Sequence, residues 1–143
     1  MKRWVIYSII SFRWLSFSCD AQTLHIQINE GQTFFGDSDL TMSQIMDPFN
    51  CQSSPKLTKH SRYVIDVSNN HLDWYFKDVL ISDWPVNVVN ADGLVYIYIL
   101  NPYYPGLFMW NPDPMNESLV YRDKVDQNTR YIVYTKFSIT KSQ

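Results

Sequence analysis

Three histidines, His25, His60 and His71, are the side chains of this chain best suited to proton transfer or metal ligation near neutral pH. Each falls in a different segment. Only His71-Leu72-Asp73 sets an acid two residues away, a spacing used at metal and catalytic sites and also frequent by chance. Asp37-Ser38-Asp39, with Glu30 nearby, offers oxygen ligands of the kind calcium takes, but the longer run and distal glutamate of a calcium loop do not follow, so a solvated turn is expected. Asp66, Asp83 and Asp123 could serve glycoside hydrolysis only if two of them met in space. No nucleophile elbow, zinc-protease helix, paired-cysteine motif or phosphate loop is present. The four glycines, Gly31, Gly36, Gly93 and Gly106, cannot build a dinucleotide cradle. No catalytic residue, metal ligand or cofactor is assigned on these grounds.

The densest chemistry is aromatic. NPYYPGLFMWNPDP, residues 101–114, interleaves rings with prolines that cannot donate to a strand ladder. Asn101-Pro102, Pro105-Gly106 and Asn111-Pro112 all read as turns. The segment is therefore expected to be a long connection after a central strand. Leu107, Phe108 and Trp110 either fold back to plug an end of the core, or the rings face outward. In the outward arrangement Tyr103, Tyr104, Phe108, Met109 and Trp110 form the binding site, with Trp84 contributing, because tyrosine and tryptophan bury much area at small entropic cost.

The elements that would carry such a site are mostly strands. Ten Tyr, eight Phe and five Trp tilt the chain toward half-buried pleated surfaces. Period-two alternation places Leu24, Ile26 and Ile28 on one face, and Tyr63, Ile65 and Val67 likewise. In the last run Tyr131, Val133, Phe137 and Ile139 oppose Ile132, Tyr134, Lys136 and Ser138. LVYIYIL, 94–100, is apolar on both faces and belongs at the centre of a sheet. Hairpins are expected at Asn90–Gly93 and Asp126–Thr129. Residues 41–46 suit a helical turn ended by Asp47-Pro48, and residues 51–60 an exposed loop. Residues 69–81 fit a short amphipathic helix slightly better than a strand. The fold class expected is mainly β: an antiparallel β-sandwich or open barrel of about six to seven strands with one or two short helices.

The start of the chain reads as an export signal. Lys2 and Arg3 precede an apolar run from Trp4 to Ser18 and a small-residue cleavage site near Ala21, with Arg13 as an intruding charge. On this reading residues 1–21 are a signal peptide or apolar segment, residues 22–143 a single β-rich domain, and the protein secreted or extracytoplasmic. The alternative makes 4–12 a buried first strand. Cys19 and Cys51 pair if the chain stays whole; cleavage leaves Cys51 alone; lipidation at Cys19 is a third arrangement. Asn116-Glu117-Ser118 is a glycosylation acceptor. The scattered basic residues and net charge of −2 exclude an electrostatic footprint for nucleic acid. The function expected is an exported recognition domain that meets a protein through 101–114. A carbohydrate- or small-ligand-binding module using the same rings is the alternative, and a small hydrolase the third. Membrane association would come only through an uncleaved or lipidated N-terminus.

Overall fold

A computed structural model describes residues 22–47 and 56–142, with side chains described for 22–47 and 61–142. The export signal, Cys19 and Cys51 lie outside these residues. Eight strands follow one another: β1 (Thr23–Gly36), β2 (Lys56–Asp66), β3 (His71–Phe76), β4 (Val79–Ala91), β5 (Leu94–Ile99), β6 (Gly106–Asn111), β7 (Ser118–Val125) and β8 (Asn128–Ser142). Each pairs antiparallel with the next, and β8 returns to β1 from Thr23↔Ser142 to Gly36↔Thr129. The result is a closed up-and-down barrel, not a sandwich or an open sheet. Alternation says that a strand has a buried face; it does not distinguish two stacked sheets from one sheet rolled onto itself.

Local chemistry explains the hairpins. Asp92 and Gly93 close β4–β5 at φ 53° and 78°, and Asp126 and Gln127 close β7–β8 at 50° and 71°. Positive φ at both central positions gives the turn twist that matches right-handed strands. Lys77 and Asp78 do the same at φ 48° and 62°, which turns 69–81 into the β3–β4 hairpin in place of the expected helix. Its apolar residues do not share one buried stripe: Leu72 is buried, whereas Val79, Leu80 and Ile81 are about half exposed. The helical turn is α1 (Met42–Ile45), closed by a capping box in which Thr41 and Gln44 bond each other's backbone amides. The expected loop at 51–60 gives way to β2 from Lys56 onward.

The largest correction concerns 101–114. Residues 106–111 are strand β6, with Phe108↔Ile97 on one side and Phe108↔Tyr121 on the other. The prolines punctuate its two ends, leaving short connections at 100–105 and 112–117.

Two apolar clusters result. One fills the lumen: Leu24, Ile26, Ile65, Leu72, Val86, Val95, Ile97, Phe108, Trp110 and Leu119 are at most 4% exposed. The other lies outside the wall, where alternate residues Phe34, Leu107, Met109, Val120, Tyr131 and Val133 are covered by Ile45 of α1. Tyr131 ties this layer down, its hydroxyl donating to the Asp37 carbonyl and accepting from the Leu40 amide.

Candidate functional site

The lumen is packed unevenly. At the end carrying the β4–β5 and β6–β7 turns most inward side chains are buried, Val88 and Ile139 only partly so. Toward the end carrying the β3–β4, β5–β6 and β7–β8 turns, inward-facing Tyr63, Trp74, Trp84 and Tyr121 are only partly buried, and Phe76 is 39% exposed. Inward rings that stay partly exposed mean that the barrel opens at that end into a cup.

Five rings floor and wall the cup. Trp84 stacks on Trp74 (6.0 Å between centroids), Trp74 on Tyr63 (6.4 Å), Tyr63 meets Phe108 edge-on (5.0 Å), and Phe108 meets Tyr121 (5.0 Å). Tyr63 is on β2 and Phe108 on β6, so their contact crosses the lumen and divides cup from packed core. The wall has a gap: Val79–Trp84 of β4 pair with β3 alone, because β5 ends at Ile99, opposite Val86.

Polar groups converge above this floor. The phenols of Tyr63, Tyr121 and Tyr134 lie close enough to influence one another's ionisation, and none hydrogen-bonds another described residue. Burial, and after it Tyr121, pushes the Tyr63 phenol far above its ordinary value. Burial, then Asp123, pushes Tyr121 up to about 12. Tyr134 is raised well above the ordinary range, again chiefly by burial. All three are therefore protonated at physiological pH. Next to them, Asp123 and Arg130 face inward as cross-strand partners, joined by a bidentate pair at 2.8 and 2.5 Å. The Ser61 hydroxyl and the Trp74 indole N–H are buried without a hydrogen-bond partner. Gly106 makes room for Tyr121: a Cβ there would lie 2.7 Å from two atoms of its ring.

No family model, curated protein or solved structure matches this chain. The site must be read from its own geometry. Among the described residues of the cup, the one carboxylate, Asp123, is held by Arg130.

The six residues singled out in the sequence are dispersed. Tyr103 and Tyr104 are 84% and 75% exposed on the β5–β6 connection, their amides bonded to the Asn101 carboxamide oxygen. Phe108 and Trp84 belong to the ring series, at its floor and wall. Met109 faces the outer layer under α1. Trp110 is buried at the packed end, its indole donating to Glu117 (3.3 Å) and its face 5.6 Å from the Lys141 ammonium.

The acids weighed in the sequence do not meet. Asp66 accepts from Asn69 and Ser68, which hold its carboxyl below the usual range; Asp123 is in the cup; Asp83 is exposed on the outer wall. Glu30 is engaged with Lys136 (3.3 Å), not with Asp37 or Asp39. His71, Asp73 and Asp83 do bring ligand atoms within 4.8 Å of one another, with Asp73 directly opposite Asp83. Their donor types suit a divalent cation, but they sit on the solvent side of β3–β4. A hollow of about 770 Å³ at the packed end is lined by the Asn90–Val95 turn, Pro112–Pro114 and Lys141. Its lining is turn and proline with no converging rings, whereas the rings and polar groups gather at the other end.

Sequence reasoning missed Ser61, Trp74, Tyr121, Tyr134 and Arg130 as site residues, weighed Asp123 only as a hydrolytic acid, and took Tyr63 only as part of a strand face. The face of Tyr63 was readable beside Ile65 and Val67. Tyr134 was not: both β1 and β8 bulge near Glu30 and Lys136, so Tyr134 and Phe137 point the same way although they are three positions apart.

Proposed function

We propose that this protein is an exported small-molecule-binding barrel whose ligand enters the ring-lined cup. The observation that carries this reading is the half-buried inward series of rings Tyr63, Trp74, Trp84 and Tyr121, set against the opposite half of the same lumen, which is filled mainly by buried aliphatic side chains. Eight strands enclose just enough space for side chains or for one small ligand, and barrel mouths are recurrent ligand sites. The signal-like residues 1–21 support export, which suits a carrier or scavenger better than an intracellular enzyme.

Titrating the full chain with the neutral dye Nile red tests it. Saturable one-to-one binding is expected, with blue-shifted emission and energy transfer from tryptophan. Trp74→Leu is expected to weaken it about tenfold, through loss of stacking area. Unsaturable uptake, or binding indifferent to Trp74→Leu, would remove the reading.

The second reading is protein recognition, now confined to the rim. Its specific support is that Tyr103 and Tyr104 stand outside the barrel on a pinned turn, near exposed Leu100 and Tyr98. Rigid exposed tyrosines are costly to leave in water and effective at interfaces.

A further inference from the structure

We infer that the cup selects uncharged, flat molecules that carry an acceptor oxygen, the class of aryl ketones and quinones. This deepens the small-molecule reading and rests on it.

Flatness follows from the walls. Trp84, Trp74 and Tyr63 present successive faces with interplanar angles of 27° and 12°, a run of near-parallel surfaces on which a planar ring adds one more layer. The need for an acceptor follows from the polar inventory. An indole N–H can only donate, and that of Trp74 is buried with no partner, as is the Ser61 hydroxyl on a residue 1% exposed. Unpaired buried donors are costly, so a ligand oxygen that reaches them is favoured over water left outside. Three tyrosyl hydroxyls stand in the same space, and their raised ionisation keeps them donors at any physiological pH.

Neutrality follows from charge pairing. Among the described residues, the charges facing the cup are Asp123 and Arg130, and each already satisfies the other through two hydrogen bonds. A carboxylate ligand gains Arg130 only against the repulsion of Asp123, and an ammonium ligand meets the converse. Either ion loses hydration without a counter-charge, which an uncharged carbonyl compound does not.

Displacement of bound Nile red by four compounds that share one naphthalene ring system tests these claims: naphthalene itself, acetonaphthone, naphthoate and naphthylmethylammonium. Acetonaphthone is expected to displace the dye at concentrations at least about tenfold lower than the other three. Tyr134→Phe, which removes one hydroxyl that has no partner among the described residues, is expected to weaken acetonaphthone about fivefold and leave naphthalene unchanged. Tyr121→Phe is the second variant should the first melt early. Equal potency of naphthalene and acetonaphthone, or a preference for either ion, overturns the inference while dye binding keeps the parent reading intact. A full chain that binds no Nile red overturns both.

Discussion

Phe108→Ala is expected to lower the free energy of unfolding by about 3–5 kcal/mol, read from urea denaturation with an unchanged slope. Phe108 is 0% exposed and lies where the rings of Tyr63 and Tyr121 meet across the lumen, 5.0 Å from each. Removing it deletes the transfer energy of a whole ring and leaves a void that eight hydrogen-bonded strands cannot collapse around. The matched control lies five residues earlier. Tyr103→Ala with Tyr104→Ala is expected to change stability by less than about 0.5 kcal/mol, because both rings already face water. If that pair also abolished association with a partner while Nile red binding persisted, the rim would be a protein interface separate from the cup. Equal destabilisation by both sets of changes would contradict the placement of β6 in the wall.

Gly106→Ala is expected to cost about 1–3 kcal/mol and to weaken dye binding by about tenfold or more. The added methyl needs the space of the Tyr121 ring, which can yield only by swinging into the cup, away from Phe108 and from the neighbouring Asp123 and Arg130. Tyr121 must leave its rotamer, and the cup loses a wall and a donor together. Adding Tyr121→Leu to Gly106→Ala is expected to return much of the stability but not the binding. The cycle reports a large coupling, as for residues in direct contact. Strictly additive effects would mean that the ring does not lie over the Gly106 backbone.

The parts of this fold legible in the sequence are those fixed by neighbours in the chain. The turn at Asp92-Gly93 follows from glycine's freedom at φ 78°, and a helical turn at 41–46 from the Asp47-Pro48 stop, its Thr41–Gln44 reciprocal cap emerging only in the structure. Alternation in β1 and β2 correctly marks Leu24, Ile26, Ile28 and Ile65 as core. Three things depended on distant partners. Closure requires β8 to find β1, which no local pattern encodes. The 69–81 segment has helix-like spacing, but Leu72 and Trp74 gain more by facing the lumen between β2 and β4 than Leu80 could on a helix stripe. At 106–111 the prolines were read as excluding a strand, when six residues between Pro105 and Pro112 are enough for one wall of a small barrel. The site was hidden for a related reason. Its tyrosines, its ion pair and its orphan donors come from β2, β3, β7 and β8, and the bulges that aim Tyr134 inward appear only once the two ladders are aligned.

The seam between first and last strands has a kinetic and a topological consequence. His25 bonds Ser142 across 117 positions of chain, and the entire β1–β8 ladder is of this non-local kind. Its loop-closure entropy is lost before the seam gains anything, so the barrel should zip from its hairpins and shut slowly, in milliseconds to seconds. The same adjacency means that residues 22 and 142 can be joined by a short linker and the chain reopened at the Asp92-Gly93 turn. Such a rearranged chain would keep every ladder while converting the slowest contact into the nearest one, and it should fold faster than the parent.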